Sequence, residues 1–412
     1  MFTADFFAGN RERLAHTCKC DVVVIAANGS IQKSADTVFP FRQDSNFWYL
    51  TGLQVADAVF VLHAKTGESF VILPARATHR DQWEGKLELE ELSKQSGITQ
   101  LLDSRNGWAK LSALIASIGK KGTVGSLLPA SAYISVYGMH INPAKVRFAR
   151  KLKKMVQAKQ LVDIRLNMGR LRQVKQPVEI NLIKQAVQAT TKSLSLLKEQ
   201  IKTMHSERDV DVFLSHQFRV HGGDGHAYDP IVASGKHAAT IHYEENNALF
   251  NTNQLLLMDV GASVGGYAAD ISRTYALAPP SQRQKEVFSA VQSVHAYALS
   301  LLKTGVIPKE YERDVEERMG KELIKLGLTK SMDRKKIRTY FPHLTSHYLG
   351  LDVHDSGDYD LPLAPNTVLT VEPGIYIPEE GIGIRIEDDV LITENGAHNL
   401  SQNLPTDLLY YL

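Results

Sequence analysis

The alternation of apolar and polar positions divides the chain into short strands and longer helical stretches. In the first 165 residues or so, buried runs rich in β-branched residues predict strands at residues 21–26, 58–62 and 70–73. A short helix over residues 11–16, capped by Asn10, is predicted before the first strand. The pattern therefore indicates an alternating α/β domain.

Helical patterns open the second half of the chain. Gln176-Pro177 ends a basic stretch, and apolar residues then recur at helical spacing from Ile180 to Ile201. Amphipathic patterns near residues 284–303 and 309–326 predict two further helices. We place the domain boundary near residues 165–177 and expect domains at residues 1–170 and 171–412.

Two stretches in the last third share one pattern, an apolar run, a turn signal and a second apolar run. The first joins residues 255–261 to residues 267–272 through glycines, and the second joins residues 369–374 to residues 384–389 through a Pro-Glu-Glu-Gly turn. This order is typical of a β-hairpin, so the sequence predicts two hairpins built on the same plan.

Acidic residues occupy matching positions in the two hairpins. A turn at residues 264–265 sets Asp259 opposite Asp270, whereas a turn on Gly265-Gly266 makes them diagonal neighbours. Either register keeps the two acids on one face of the hairpin, with their Cβ atoms about 4.5–8 Å apart. The same count around residues 379–380 sets Glu372 opposite Glu387. Facing carboxylates inside apolar strands repel and lose hydration, so each pair needs a cation, and four acids can hold two metal ions.

A histidine-rich segment lies between the two hairpins and argues against accidental spacing. It contains His343, His347 and His354. Although the first two are four residues apart, Pro342 and Gly350 bracket the run and no Glu follows the first His, so a helical zinc motif fits poorly. One histidine with four carboxylates is an oxygen-rich ligand set that suits manganese better than structural zinc.

These residues resemble a known family. The ordered set Asp259, Asp270, His347, Glu372 and Glu387, with the strings SHYLGLDVHD, TVEPGIY and GIGIRIEDD, is similar to the dinuclear metal site of the pita-bread metallopeptidases. Among the members, Xaa-Pro aminopeptidases are the most similar, because these three strings look most like theirs and FPFRQDSNFWYLTG also resembles a signature of their N-terminal domain. The resemblance implies an N-terminal mixed-sheet α/β domain and a C-terminal pita-bread domain with a curved antiparallel sheet covered by helices.

The resemblance also implies roles for the metal-ligating and catalytic residues. Asp270 and Glu387 would bridge two divalent ions, Asp259 would chelate one ion, and His347 and Glu372 would hold the other. Manganese is the expected metal, with cobalt or zinc as alternatives. Two such ions can share one water and lower its pKa, and Glu372 is the candidate general base. His242 and His354 would donate to the substrate carbonyl oxygen.

Further positions match substrate-binding or supporting residues of the family. His343 would wall the proline pocket, Trp83 would project from a loop toward an active site, often a neighbouring subunit's, and Tyr228 would bind substrate. Arg385 is placed with the substrate-binding residues, and its position two residues before Glu387 also predicts a contact with Asp259. Tyr376 and Ser272 would support the ligands. The bland alternative for Trp83 is packing on its own domain.

Composition and charge exclude several other classes of protein. The 412 residues include 43% hydrophobic and 22% charged residues, with a net charge of +2, which argues against an obligate polyanion partner. Eleven Lys or Arg residues and one acid lie between Lys145 and Lys175, but no aromatic platform accompanies them, so a solvated helix face is favoured over a nucleic-acid surface. No secretory signal or membrane span is predicted, and Cys18 and Cys20, placed in a strand, cannot form a disulfide framework. We expect a cytoplasmic homo-oligomer, a dimer or tetramer.

The predicted function is hydrolysis of the bond between an N-terminal residue and a following proline. A proline dipeptidase and a non-catalytic binding module on the same fold are the alternatives, although such modules have typically lost metal ligands. One departure concerns the stretch after His354, which offers Asp355, Asp358 and Asp360 and no Lys or Arg before Pro365. Family members often carry an arginine in this stretch. Because this chain has none there, the electrostatic field of the stretch is expected to disfavour a substrate carboxylate.

Overall fold

A computed structural model describes residues 2–76, 80–127, 136, 138–251 and 254–408 of the chain. The chain divides into two compact units, Met1–Leu171 and Arg172–Leu412, and the division falls within one helix, Arg165–Gln173. The predicted boundary between residues 170 and 171 lies in the same helix. No helix among the described residues has the length and apolar character needed to cross a membrane.

The N-terminal unit contains eight described strands and seven described helices. The strands are β1 (Val22–Ala26), β2 (Gln32–Ser34), β3 (Thr37–Val38), β4 (Val59–His63), β5 (Ser69–Ile72), β6 (Gln100–Leu102), β7 (Val124–Ser126) and β8 (Leu161–Asp163). The helices are α1 (Ala4–Thr17), α2 (Ser45–Thr51), α3 (Arg80–Glu84), α4 (Leu89–Ser96), α5 (Ser104–Ser117), α6 (Pro143–Met155) and α7 (Arg165–Gln173).

Six of these strands form one mixed sheet in the order β6-β5-β4-β1-β7-β8. The β1–β4 and β4–β5 pairs are antiparallel, whereas β5–β6, β1–β7 and β7–β8 are parallel, which confirms the predicted mixed-sheet α/β domain. Alternate side chains of the central strands pack against α5 and α6, through Leu111, Ile115, Phe148 and Leu152. Burial of this apolar face is what holds the helices on the sheet.

Two details of the N-terminal prediction are wrong. Helix α1 begins at Ala4 rather than after Asn10, and Asn10 lies on its buried face, where Nδ2 donates to the Tyr49 carbonyl at 2.7 Å. Cys18 and Cys20 do not lie in a strand, because Cys18 ends α1 and Lys19 adopts a left-handed φ of 50°. Both cysteines are free and buried.

The C-terminal unit contains the remaining described elements. Its helices are α8 (Pro177–Gln200), α9 (Glu207–Val220), α10 (Gln282–Leu301), α11 (Pro308–Lys325) and α12 (Arg334–Tyr340). Its strands are β9 (Gly225–His226), β10 (Ile231–Ser234), β11 (Leu255–Val260), β12 (Ala262–Val264), β13 (Tyr267–Ala268), β14 (Ile271–Ala276), β15 (Val368–Val371), β16 (Gly374–Ile377), β17 (Ile382–Arg385), β18 (Asp388–Thr393) and β19 (Gly396–Asn399).

All pairings between these named strands are antiparallel, as predicted. They form β10-β11-β14, β13-β12-β9, β15-β18-β19 and the β16-β17 hairpin. The predicted helices are present, and capping boxes at Gln176–Glu179 and Ser281–Gln284 start α8 and α10 by satisfying backbone N–H groups. Apolar faces of α10 and α11 pack with the strands, through Val291, Val294, Val315, Met319, Ile375 and Ile384.

Replacing Gly261, which follows β11, should destabilise the C-terminal unit. A Cβ atom there would lie 1.8 Å from the Ala269 carbonyl oxygen, so the two arms of the first hairpin would have to separate. We expect Gly261→Ala to lower the free energy of unfolding by about 3 kcal/mol, the upper end of ordinary overpacking. Gly305→Ala is the control, because nothing lies within 4 Å of its Cβ and only its φ of 91° opposes alanine, at about 1 kcal/mol. Equal losses in urea denaturation would contradict this.

Candidate metal centre

The first hairpin turns on its two glycines. Val264 pairs with Tyr267, and Gly265 and Gly266 between them have φ values of 57° and 82°, which glycine adopts without strain. The same register pairs Asp259 with Ser272. Asp270 is therefore the diagonal neighbour of Asp259, and of the two registers considered from the sequence the glycine turn is the one observed.

The second hairpin keeps one register over its whole length. Gly374 pairs with Arg385 in the β16–β17 arm, and Val371 pairs with Asp388 in the β15–β18 arm. Glu372 and Glu387 lie between these pairs, and the common register sets them opposite each other, as the sequence predicts. The turn is a 3-10 segment, Pro378–Glu380, ended by Gly381 with a φ of 62°.

The predicted ligands from both hairpins come together with His347. Asp270, His347 and Glu387 each offer a ligand atom, and these atoms lie within 4.8 Å of one another. His347 Nε2 is also 3.4 Å from both Asp270 Oδ2 and Glu372 Oε1. Asp259 joins through Tyr228, whose hydroxyl oxygen lies 2.6 Å from Oδ1 of Asp259 and from Oδ1 of Asp270.

The backbone orients His347 toward the acids. Its Nδ1 lies 3.1 Å from the Tyr348 carbonyl oxygen. Because a carbonyl oxygen can only accept a hydrogen bond, Nδ1 must carry the hydrogen. Nε2 is then left with its lone pair facing the carboxylates, the tautomer that a metal ligand needs. Burial lowers the pKa of His347, which keeps the ring neutral.

The carboxylates are too crowded to remain ionised without a cation. Burial raises the pKa values of Asp270, Glu372 and Glu387, and the neighbouring carboxylates raise them further. Asp270 and Glu387 are buried and Glu372 is mostly buried, so water cannot screen the repulsion. This donor set, four carboxylates and one neutral imidazole, fits hard divalent cations.

Arg385 ties the two hairpins together behind the acids. Its three donor nitrogens each have a protein acceptor: Nη2 donates to Asp259 Oδ2 at 2.5 Å, Nε to Ser272 Oγ at 2.8 Å and Nη1 to the Tyr376 hydroxyl at 2.6 Å. Ser272 Oγ in turn donates to Glu387 Oε2 at 2.6 Å. The predicted contact between Arg385 and Asp259 is present, whereas a contact of Arg385 with substrate stays a prediction.

A chain of hydrogen bonds continues from Arg385 to His343. His343 Nδ1 lies 2.8 Å from the Leu344 carbonyl oxygen, so this nitrogen carries the proton. Nε2 can then accept from the Tyr376 hydroxyl at 2.8 Å, while that hydroxyl oxygen accepts from Arg385. Burial and the charge of Arg385 lower the pKa of His343 to about 3, so the ring is neutral.

His354 and His242 lie on the exposed side of the cluster. The rings of His354 and His347 meet edge to face, with centroids 4.4 Å apart. Partial desolvation, then the nearby His347, lower the pKa of His354 to about 4, and His242 adds to this effect. His242 itself is exposed. The structure thus brings three of the predicted histidines near one another, and two of them face solvent.

The loop after His354 has no cation of its own, as the sequence shows, but its acids are not left uncompensated. Arg172 and Lys175 both contact Asp355, Lys175 at 3.0 Å, and Arg172 also donates to Asp352 at 2.8 Å. The side chains of Arg172, Lys175 and Asp355 are each 1% exposed. The compensating cations come from a segment far away in the sequence, before α8.

Tyr228 and Trp83 occupy different surroundings from each other. The Tyr228 hydroxyl contacts the two acids, so the structure gives it a role in orienting them, and its predicted contact with substrate stays a prediction. Trp83 lies in the short helix α3 of the N-terminal unit rather than in the predicted loop, and it is 85% exposed, so packing on its own domain does not bury it. Its approach to an active site also stays a prediction.

Sequence reasoning missed two acids that support the cluster. Asp389 Oδ2 accepts the Asp270 backbone N–H at 3.0 Å and so joins the hairpins beneath the ligands. Asp388 faces the other way and accepts a hydrogen bond from Arg273 Nη2 at 2.6 Å. Burial alone would raise the pKa of Asp388, but Arg273 and His295 lower it. The signal was present, because strand alternation puts Asp389 on the face of Glu387 and Asp388 on the opposite face.

Known proteins resemble this chain over nearly its whole length. The model of metallopeptidase family M24 matches residues 181–394, and the model of the aminopeptidase P N-terminal domain matches residues 7–122. Xaa-Pro aminopeptidase of Escherichia coli (strain K12) is 31% identical over 92% of this chain and 90% of its own length. Xaa-Pro aminopeptidase 3 of Mus musculus is 31% identical over 97% of this chain and 81% of its own length.

Solved structures agree with these sequence matches. The low-pH form of aminopeptidase P from E. coli superposes with a TM-score of 0.83 at 29% identity, covering 99% of this chain and 97% of that chain. Proline aminopeptidase P II from Yersinia pestis gives a TM-score of 0.82 at 28% identity, covering 98% of both chains.

Divalent ions should stabilise the protein more strongly as the pH rises. In the metal-free fold Asp270, Glu372 and Glu387 hold protons that the unfolded chain releases above about pH 4, so between that pH and the raised folded pKa values each increase in pH favours unfolding. Bound ions favour the ionised carboxylates and remove this loss. We expect the Tm increase on adding Mn²⁺ to chelator-treated protein to grow between about pH 5 and pH 8.

Glu387→Ala is the control for this measurement, because it removes one of the crowded acids and a predicted ligand. Its Tm increase with Mn²⁺ should be smaller at every pH. A wild-type increase that is the same at all pH values would show that the buried carboxylates do not hold the ions.

Proposed function

We propose that this chain, which belongs to metallopeptidase family M24 and within it to the aminopeptidase P group, removes the N-terminal residue from peptides with proline at the second position. The observation that carries the proposal is the joining of four acids and His347 in one buried cluster beside His242 and His354. Relatives named Xaa-Pro aminopeptidase match both units of the chain, which supports the same activity.

Asp259, Asp270, His347, Glu372 and Glu387 would hold two divalent ions. Asp270 and Glu387 would be shared, Asp259 would serve one ion, and His347 with Glu372 the other. Manganese is the proposed metal because oxygen donors outnumber nitrogen, with cobalt and zinc to be compared in assays. When bound, such ions supply Lewis acidity that acidifies a water and so provides a nucleophile at neutral pH.

Glu372 is the proposed base for this water. Its carboxylate lies at the edge of the cluster, with Oε1 3.4 Å from His347 Nε2 and Oε2 3.5 Å from His343 Nδ1. It can take the proton released as the peptide carbonyl is attacked and deliver it to the departing proline nitrogen.

His354 and His242 would donate hydrogen bonds to the substrate carbonyl oxygen as negative charge develops there. A neutral imidazole has one N–H to donate, and the lowered pKa of His354 keeps that ring neutral at physiological pH. Donors placed where charge develops lower the barrier because they need no reorganisation during the reaction.

His343 would form the wall of the proline pocket. The chain from Arg385 through Tyr376 fixes its ring, so a rigid surface faces the pyrrolidine. Trp83, Tyr228 and Arg385 remain proposed substrate-binding residues, and Ser272 and Tyr376 supporting ones. A dimeric or tetrameric assembly and a cytoplasmic location also belong to the proposal. The relatives are not all cytoplasmic by name, since they include the mitochondrial intermediate cleaving peptidase 55 of Arabidopsis thaliana.

The assay that tests the function compares three peptides at fixed Mn²⁺. We expect cleavage of Ala-Pro-Ala after its first residue, loss of activity with a chelator, and no comparable cleavage of Ala-Ala-Ala. We also expect kcat/KM for Ala-Pro-Ala to exceed that for Ala-Pro by about tenfold, or ~1.4 kcal/mol. Arg172, Lys175 and Arg385 already have carboxylate partners, so they do not offer a free cation to the carboxylate of a dipeptide.

Two contrary results of this assay would each indicate one of the alternative functions. Faster cleavage of Ala-Pro would identify a proline dipeptidase. Failure to cleave any of the peptides by a chain that holds two metal ions would indicate a binding module.

Two variants separate the metal ligands from the carbonyl donors. Glu387→Ala should lose metal as well as activity, because it removes a shared ligand. His354→Ala should keep its metal while kcat falls roughly 10²–10³-fold, as for removal of one oxyanion donor. The control is His398→Ala, an exposed histidine on β19. Elemental analysis beside kinetics decides, and metal loss in the His354 variant alone would reverse the assignment.

A further inference from the structure

The loop over residues 235–248 carries His242 but does not fix its ring directly. It follows β10 and opens with a 3-10 segment, Gly235–Ala239. His242 is exposed, and its ring forms no hydrogen bond to any residue that the structure describes. The position of this imidazole therefore depends on the backbone of the loop.

One buried carboxylate, Glu207, accepts hydrogen bonds from residues near both ends of this loop. Its Oε1 accepts from Ser234 N at 2.7 Å, from Ser234 Oγ at 2.8 Å and from His237 Nδ1 at 3.1 Å. Its Oε2 accepts from the Tyr243 hydroxyl at 2.8 Å and from Ala248 N at 2.9 Å. Glu207 is 0% exposed, so these five donors replace its water.

The network requires an ionised carboxylate. Burial alone would raise the pKa of Glu207, but the hydrogen bonds from Ser234, Ala248 and Tyr243 outweigh it and lower the pKa. Glu207 is also the first residue of α9, where the helix dipole favours negative charge. An amide could not replace it, because its NH₂ group would face the donors of either Oε1 or Oε2.

Two partners of Glu207 flank His242 in the sequence and stack on each other. The rings of His237 and Tyr243 lie 4.5 Å apart at 21°. Tyr243 is 7% exposed and is the residue directly after His242. The segment between them, with His242 near its end, is therefore closed into a loop on a rigid base.

We propose that Glu207 is a positioning residue for the reaction, which holds the 235–248 loop so that His242 meets the substrate carbonyl oxygen. This inference rests on the proposed function. Glu207 acts only through the loop and would touch neither metal nor substrate.

A double-mutant cycle tests whether Glu207 acts through His242. Glu207→Gln should keep its metal content and lower kcat on Ala-Pro-Ala by about 10- to 10²-fold, as expected for a misplaced catalytic group. His242→Ala should lower kcat by about 10²-fold. If Glu207 acts through His242, the double variant should be no slower than His242→Ala within about twofold, because the second change has nothing left to displace. A merely structural role would make the losses multiply.

A milder variant covers the case in which Glu207→Gln fails to fold. Tyr243→Phe removes one of the five donors and keeps the stacked ring, so a smaller loss of kcat is expected, again absent in the His242→Ala background. Glu244→Gln is the control, since it removes an exposed acid from the same loop. Multiplying losses, or a His242→Ala variant with full kcat, would overturn the role of Glu207. A wild-type protein without activity on Ala-Pro-Ala would instead overturn the proposed function.

Discussion

Mutual repulsion between buried carboxylates is the constraint around which the C-terminal unit is built. Two unit charges 4 Å apart repel by about 4 kcal/mol at an effective dielectric constant of 20, and four acids meet at this cluster. Arg385 is the buried cation that the structure places among them, and four carboxylates less one guanidinium leave three negative charges. Two divalent ions bring four positive charges, so the balance leaves room for one more anion, as a nucleophile derived from water requires. One ion would leave the site negative.

The same constraint explains the arrangement around the cluster. Two buried acids that face away from the metal-binding side have buried cationic partners, Arg172 and Lys175 for Asp355 and Arg273 for Asp388. These ion pairs hold the loop of His354 and the base of the second hairpin, since breaking one would leave a charge without water or partner. The supports of the site are therefore electrostatic as well as apolar.

Local periodicity was enough to predict the hairpins and the facing acids, because side chains in a strand alternate with a period of two and a turn fixes the register. Only the choice between two turns was open, and the left-handed φ values of Gly265 and Gly266 decide it. Helix starts at Pro177 and Ser281 were readable for the same local reason. Asn10 was wrongly predicted as a helix cap, because its side chain donates a hydrogen bond to a carbonyl oxygen of α2 instead.

Partners that are distant in the sequence could not be predicted. Lys175 and Asp355 are 180 residues apart, so the local sequence around His354 does not contain the cation that compensates this acid. Glu207 gave no signal either, since an acid in the first turn of a helix is ordinary and its five donors come from another segment. Only tertiary folding brings these groups together, and the local spacing of residues does not predict such contacts.

The neutral histidines complete the electrostatic design. Burial lowers the pKa of His343 and His347, and partial desolvation lowers the pKa of His354, which favours the neutral rings that the proposed ligand and hydrogen-bond donor roles require. Arg385, Arg172 and Lys175 are each engaged by acids of the protein. These three cations are thus committed to acids that hold the site together. A substrate whose proline carbonyl is an amide brings no further anion into it, whereas a dipeptide carboxylate would have to compete with Asp259 or Asp355 for a cation. We therefore expect selection by substrate length, because the cations of the protein are already paired with its own acids.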